Sequence, residues 1–111
     1  AIVVHKDNPV TNITLEDLKG IYNGTYTNWS ELGGYDCPIV LYGRDSASGS
    51  YVYFKEAILD GESYSIKMQQ FSSNALIVAE VENNLGGIGY VGVGYAEESL
   101  ADEWVGKQNG N

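Results

Sequence analysis

The stretch from Pro38 to Ser50 constrains this chain more than any other. Ile39-Val40-Leu41-Tyr42 is a run of β-branched and aromatic residues, the pattern of a short buried strand. Gly43-Arg44-Asp45-Ser46-Ala47-Ser48-Gly49-Ser50 follows as a tight loop of small residues behind one arginine. From Gly49 to about Leu59 the spacing of Tyr51, Phe54 and Ile58 is helical. A strand that turns sharply into a helix is the building unit of an α/β domain. It leaves the first backbone N–H groups of the helix without partners. Those donors, the positive end of the helix dipole, the serine hydroxyls and the guanidinium all favour an anion. Ser48-Gly49-Ser50 alone is also what a helix cap looks like. A cap has no need of Arg44, which tips the reading toward a ligand. The loop also lies beyond the carboxyl end of its strand, where open α/β sheets bind ligands. No Gly-Lys-Ser/Thr follows, so it is not a Walker loop.

The other elements alternate in the same way. Ile2 to His5 reads as a strand ended by Asp7-Asn8-Pro9. Thr14 caps a helix whose Leu15, Leu18, Ile21 and Tyr22 form one apolar face, stopped by Asn23-Gly24. Asn28 to Leu32 is a single helical turn closed by Gly33-Gly34. Glu62 to Gln70 reads as irregular. Ser72 or Ser73 caps a third helix with Leu76, Ile77 and Val81 facing inward. Ile88 to Val93 is a strand interrupted by Gly89 and Gly92, and the tail from Ala96 is weakly helical to Val105. One core is expected from Leu15, Leu18, Ile39, Leu41, Phe54, Ile58, Leu76, Val81 and Ile88. The fold class is α/β with a small, mostly parallel or mixed sheet, in a single domain over 1–111.

Composition removes several functions. Fifteen acids against six bases give a net charge of −9, which argues against nucleic acid and anionic membrane surfaces as partners. It does not exclude an anion ligand. A surface field is screened over roughly 8 Å at physiological salt, whereas donors in a site act at contact. No apolar run is long enough to span a bilayer. Cys37 stands alone, which excludes an internal disulfide and a cysteine zinc cluster, and reads as a small buried residue at a strand start. One histidine, His5, and one cysteine cannot build a conventional zinc site. No Gly-x-Ser-x-Gly elbow surrounds Ser46, Ser48 or Ser50, and no carboxylate pair stands out, so no catalytic residue, metal or cofactor is expected. Gly87-Ile88-Gly89-Tyr90-Val91-Gly92 matches G-x-G-x-x-G by letter. Its interleaved residues are strand formers, so the glycines are expected to serve close packing and not a dinucleotide. Asn12, Asn23 and Asn28 open Asn-X-Ser/Thr sequons, which matter only in a cell that glycosylates exported proteins.

The chain resembles the second lobe of the substrate-binding subunit of phosphate ABC transporters, a periplasmic-binding-protein type II-like fold. Ile2 to Val10, Thr14 to Leu18, Tyr22-Asn23-Gly24, Thr27-Asn28-Trp29, Gly43 to Ser50 and Gly86 to Gly92 carry the resemblance. It implies a three-layer lobe, inserted into a first lobe that is absent here, with residues 96–111 at or beyond the hinge. It implies that the Ile2–His5 and Ile88–Val93 strands lie close together. It implies inorganic phosphate held by Arg44, Ser48, Gly49 and Ser50, with Asp45 and Ser46 in support. The implied partners are the first lobe and a membrane permease, and the implied setting is extracytoplasmic. Two departures stand out. Some members carry an acid two residues after the arginine, which orients it; here Ser46 occupies that position and Asp45 the one before. A basic residue often follows the Ser-Gly-Ser/Thr, where this chain has Tyr51. A non-transport binding or adhesion module that keeps the lobe is the alternative reading.

Overall fold

A computed structural model of the chain describes residues 1–10, 12–92 and the backbone of 103–104. Strands β1 (Ile2–Val4), β2 (Val40–Arg44), β3 (Gln69–Phe71), β4 (Gly87–Tyr90) and β5 (Glu103–Trp104) form one sheet in the order β3-β2-β4-β1-β5. β2 runs parallel to β3 and β4, while β1 is antiparallel to β4 and β5. The sheet is therefore mixed. β1 and β4 are neighbours in the register Ile2↔Tyr90 and Val4↔Ile88, as the sequence leads one to expect.

Each helix begins where the sequence supplies a cap. The Thr14 hydroxyl accepts the Asp17 N–H at 3.0 Å and the Asp17 carboxylate accepts the Thr14 N–H at 3.2 Å, opening α1 (Leu15–Tyr22). Ser48 opens α2 (Gly49–Ala57), and Ser73 opens α3 (Asn74–Glu82). Asn28 caps a 3₁₀ turn over Trp29–Leu32. The buried Trp29 ring donates its Nε1–H to the Gly86 carbonyl at 2.9 Å, which ties that turn to the entrance of β4.

The strands alternate their side chains between two faces, and each face has its own core. Ile2, Val4, Leu41, Ile88 and Tyr90 point to α1 and α2, meeting Leu18, Ile21, Tyr22, Phe54 and Leu59. Val3 and Tyr42 point the other way and meet Ile77, Val78 and Val81 of α3. The single expected core is thus two clusters separated by the sheet, the consequence of a three-layer order. The glycines of β4 fall on the α3 face. A Cβ on Gly89 would run into Ile77 Cγ2, so its absence lets α3 lie directly on the sheet.

Several expectations are corrected. Leu15 and Leu76, taken as inward-facing, are each 48% exposed. Leu15 is the first residue of α1, ahead of the turn that reaches the sheet. In α3 the buried stripe is Ile77, Val78 and Val81, which turns Leu76 outward. Ile39 and Ile58 pack only at the edge of the core. Cys37 is half-buried. The end of the stretch taken as irregular enters β3, whose Gln69 and Gln70 are exposed; a polar strand of three residues at a sheet edge has no apolar alternation to announce it. The tail expected to be weakly helical lies outside the described residues except for Glu103–Trp104, which pair with β1 as strand.

Candidate functional site

Arg44 ends β2, and its position is set from both sides. β4 pairs with β2 only as far as Tyr42↔Gly89, so the Arg44 N–H lies past the end of that ladder. The Tyr90 hydroxyl takes the place of the missing strand and accepts this N–H at 3.1 Å. Gly43 makes this possible, because a Cβ there would stand 2.8 Å from Tyr90 Cε2 and 2.6 Å from Met68 Sδ. The Tyr90 ring is stacked on Phe54 with centroids 4.5 Å apart and lies edge-on to Tyr22 at 5.7 Å. The Tyr64 ring stacks on that of Tyr90 with centroids 6.1 Å apart, and its hydroxyl donates to the Tyr51 carbonyl in the first turn of α2 at 2.8 Å. Burial pushes the Tyr22, Tyr64 and Tyr90 phenols up, so all three stay neutral at physiological pH.

The Arg44 side chain crosses to the loop between β3 and α3. Nε donates to the Phe71 carbonyl at 3.3 Å, Nη2 to the Ser72 carbonyl at 3.2 Å and Nη1 to Asn74 Oδ1 at 3.1 Å. A guanidinium has five N–H donors, so two remain for a ligand. Among the described residues no carboxylate pairs with Arg44. Asp45, although adjacent, contributes its carbonyl to the Ser48 N–H at 3.0 Å and its N–H to the Phe71 carbonyl at 3.2 Å. Arg44 therefore keeps its full charge in a strongly acidic chain, and neutral oxygens supply the orientation that the resemblance left open.

The α2 end of the loop is both a cap and a donor set. Ser48 is 8% exposed, and its Oγ accepts the Ser50 N–H at 3.1 Å. That donor, expected to be free, is already engaged. Among the described residues the Gly49 and Tyr51 N–H groups have no acceptor, and the Ser48 hydroxyl keeps its own proton to donate. The Tyr51 N–H is a donor that the residue-by-residue resemblance missed; its place in the first turn of α2 was the signal for it. Ser46 is exposed on the outside of the turn. Gly49 and Ser50 also stand at the rim of a cleft of about 560 Å³, walled by Leu15, Leu18, Tyr53, Phe54 and Ile58. No group of three or more His, Cys, Asp and Glu gathers to hold a metal among the described residues.

A profile of the PBP superfamily domain matches residues 1–110. The chain belongs to that superfamily. Among curated relatives of this PBP-superfamily chain, the phosphate-binding protein PstS of Pseudomonas aeruginosa is 34% identical over 122 residues, covering 99% of this chain and 38% of that protein. PstS of Borreliella burgdorferi is 37% identical over 98 residues, covering 82% and 35%. Among solved structures, PstS from Borrelia burgdorferi superposes with a TM-score of 0.83 at 31% identity, covering 91% of this chain and 43% of that one. An ABC-type phosphate transport receptor from Vibrio cholerae gives a TM-score of 0.79 at 34% identity, covering 85% and 40%. The chain thus spans about two-fifths of the length of these proteins. The α/β lobe with a mixed sheet, read from the sequence, is the fold they share with it.

Proposed function

We propose that this domain contributes half of an inorganic phosphate site in a solute-binding protein for ABC-type import, and that it is not an enzyme. The observation that carries the reading is Arg44: a guanidinium held by three neutral oxygens, free of carboxylates among the described residues, at the end of β2 and ahead of the loop that leads into α2. A half-buried guanidinium with spare donors and no carboxylate beside it favours an anion. Arg44, the Ser48 hydroxyl and the Gly49 N–H are the ligands; Tyr51 N–H joins them, and Ser50 N–H is shared with its cap. Asp45 and Ser46 shape the turn.

In this reading the rest of a longer protein supplies a first lobe that closes on the anion. A membrane permease receives the load, and the setting is extracytoplasmic. Length in the relatives supports this, since each is more than twice as long as the matched part. Three or four charge-assisted bonds at roughly 1.5–3 kcal/mol each must offset association costs, so half a site binds phosphate on the order of millimolar. Titration of inorganic phosphate into the isotopically labelled chain tests it. Amide shifts should appear at residues 48 to 51. Arg44→Ala should weaken binding by about ten- to a hundredfold, and Ser48→Ala by less. Shifts that avoid residues 48 to 51 would reduce the loop to a helix cap.

A further inference from the structure

Of the three acceptors that grip the Arg44 guanidinium, two are backbone carbonyls that any sequence would provide. The third, Asn74 Oδ1, is a side chain and the only one of the three under direct control of the sequence. Its placement follows from the elements around it. The β2–β3 register sets Phe71 opposite Arg44, which brings the start of α3 beside the guanidinium. Ser73 is the cap of α3, its hydroxyl accepting the Leu76 N–H at 3.2 Å. Asn74, one residue later, is therefore free of capping duty. A guanidinium has only donors, so the Asn74 amide must turn its oxygen to Arg44, which aims its NH2 away, toward Gly92. The amide accepts without carrying charge, and this is what leaves the guanidinium electrostatically open.

We propose that Asn74 is a positioning residue of the anion site, one that fixes the Arg44 guanidinium while leaving its charge unneutralised. The proposal rests on the reading of Arg44 to Ser50 as an anion site. Two substitutions separate its two parts. Asn74→Ala removes the acceptor. Asn74→Asp keeps an oxygen in the same place but adds a negative charge, and aspartate is favourable in the first turn of a helix. The measurements are inorganic phosphate titration and the Arg44 side-chain Nε–H resonance of the labelled chain, with a denaturation midpoint as the check on folding.

With Asn74→Ala, phosphate affinity should fall about tenfold or more, and the Arg44 Nε–H signal should broaden through faster solvent exchange. With Asn74→Asp, that signal should stay as sharp as in the parent while phosphate affinity still falls. A purely structural role would not produce this split between an ordered arginine and a lost ligand. Parent-like phosphate affinity in either variant overturns the proposal. If the parent itself shows no phosphate response, the anion-site reading fails and takes the proposal with it, whereas a parent response with an unaffected Asn74→Ala sinks the proposal alone.

Discussion

Tyr90→Phe isolates the link between the core and the site. The ring is 2% exposed and is held by Phe54, Tyr22 and Tyr64, so phenylalanine fills the same space and leaves no cavity. What disappears is one oxygen. The Arg44 N–H loses its acceptor at 3.1 Å, while the Tyr64 bond to the Tyr51 carbonyl at 2.8 Å is untouched. An N–H left unsatisfied away from water costs about 1–3 kcal/mol. For a domain of this size that corresponds to a fall in Tm of roughly 5–20 °C. Urea denaturation should give a lower midpoint with an unchanged slope, because the surface exposed on unfolding is the same. Amide exchange at Arg44 should accelerate well beyond that of its β2 neighbours. Tyr64→Phe, whose lost bond reaches an already helical carbonyl on a half-buried face, should cost about 0.5–1.5 kcal/mol. Equal stability of Tyr90→Phe and the parent, with unchanged exchange at Arg44, would refute the claim that the phenol substitutes for a strand partner.

Two further outcomes test the packing and the buried phenols. Ile77→Ala should destabilise the domain by about 2–5 kcal/mol, since Ile77 is fully buried against Gly89, whereas Leu76→Ser should change the urea midpoint by no more than about 0.5 kcal/mol equivalent; the reverse order would mean that the inward face of α3 is misassigned. Tyr22 is fully buried with its phenol pushed well above the usual tyrosine range by desolvation, so its contribution is fully present below about pH 10 and is lost as pH rises toward the folded value. Above about pH 10 the unfolded chain binds fewer protons than the folded one, and stability should fall by up to about 1.4 kcal/mol per pH unit from this residue alone. Phenolate absorbance rising in a single early step, before the loss of near-ultraviolet circular dichroism, would contradict that.

The parts of this fold that were legible in the sequence are those governed by local chemistry. Thr14, Ser48 and the pair Ser72–Ser73, of which Ser73 is the cap, announced their helix starts because a cap is a contact between residues two or three apart. The placement of β1 beside β4 followed from the resemblance and is met in the register Ile2↔Tyr90. What stayed hidden depends on partners distant in the chain. β3 has no apolar signature of its own and exists because β2 offers an edge at Tyr42 to Arg44. The inward faces of α1 and α3 were misjudged at Leu15 and Leu76, since a helix of eight or nine residues has several nearly equivalent apolar stripes and the sheet selects among them. The residues of the candidate site divide the same way. Arg44 and Ser48 to Ser50 lie within one seven-residue stretch and were proposed from it, but Asn74 and Tyr90 reach Arg44 across 30 and 46 positions and carried no local signal.

The arrangement also explains how a chain of net charge −9 can keep a guanidinium unpaired with any carboxylate among the described residues. The acids closest to a cation among the described residues are spent elsewhere: Lys19 holds Asp60 at 3.0 Å and Glu62 at 3.3 Å on the surface of α1. Around Arg44 the sequence supplies carbonyls, an amide and a phenol, all neutral. Burial keeps the phenol that way, because it raises the Tyr90 ionisation above the usual tyrosine range. Each of these groups is fixed by the fold, the phenol by the aromatic stack and the carbonyls by the β2–β3 pairing. The entropy of ordering the arginine is therefore spent on folding, which under the proposed function lowers the cost of binding an anion. In this domain the hydrophobic core and the recognition loop are one construction, joined at Gly43, where the missing side chain admits the tyrosine that holds the arginine in place.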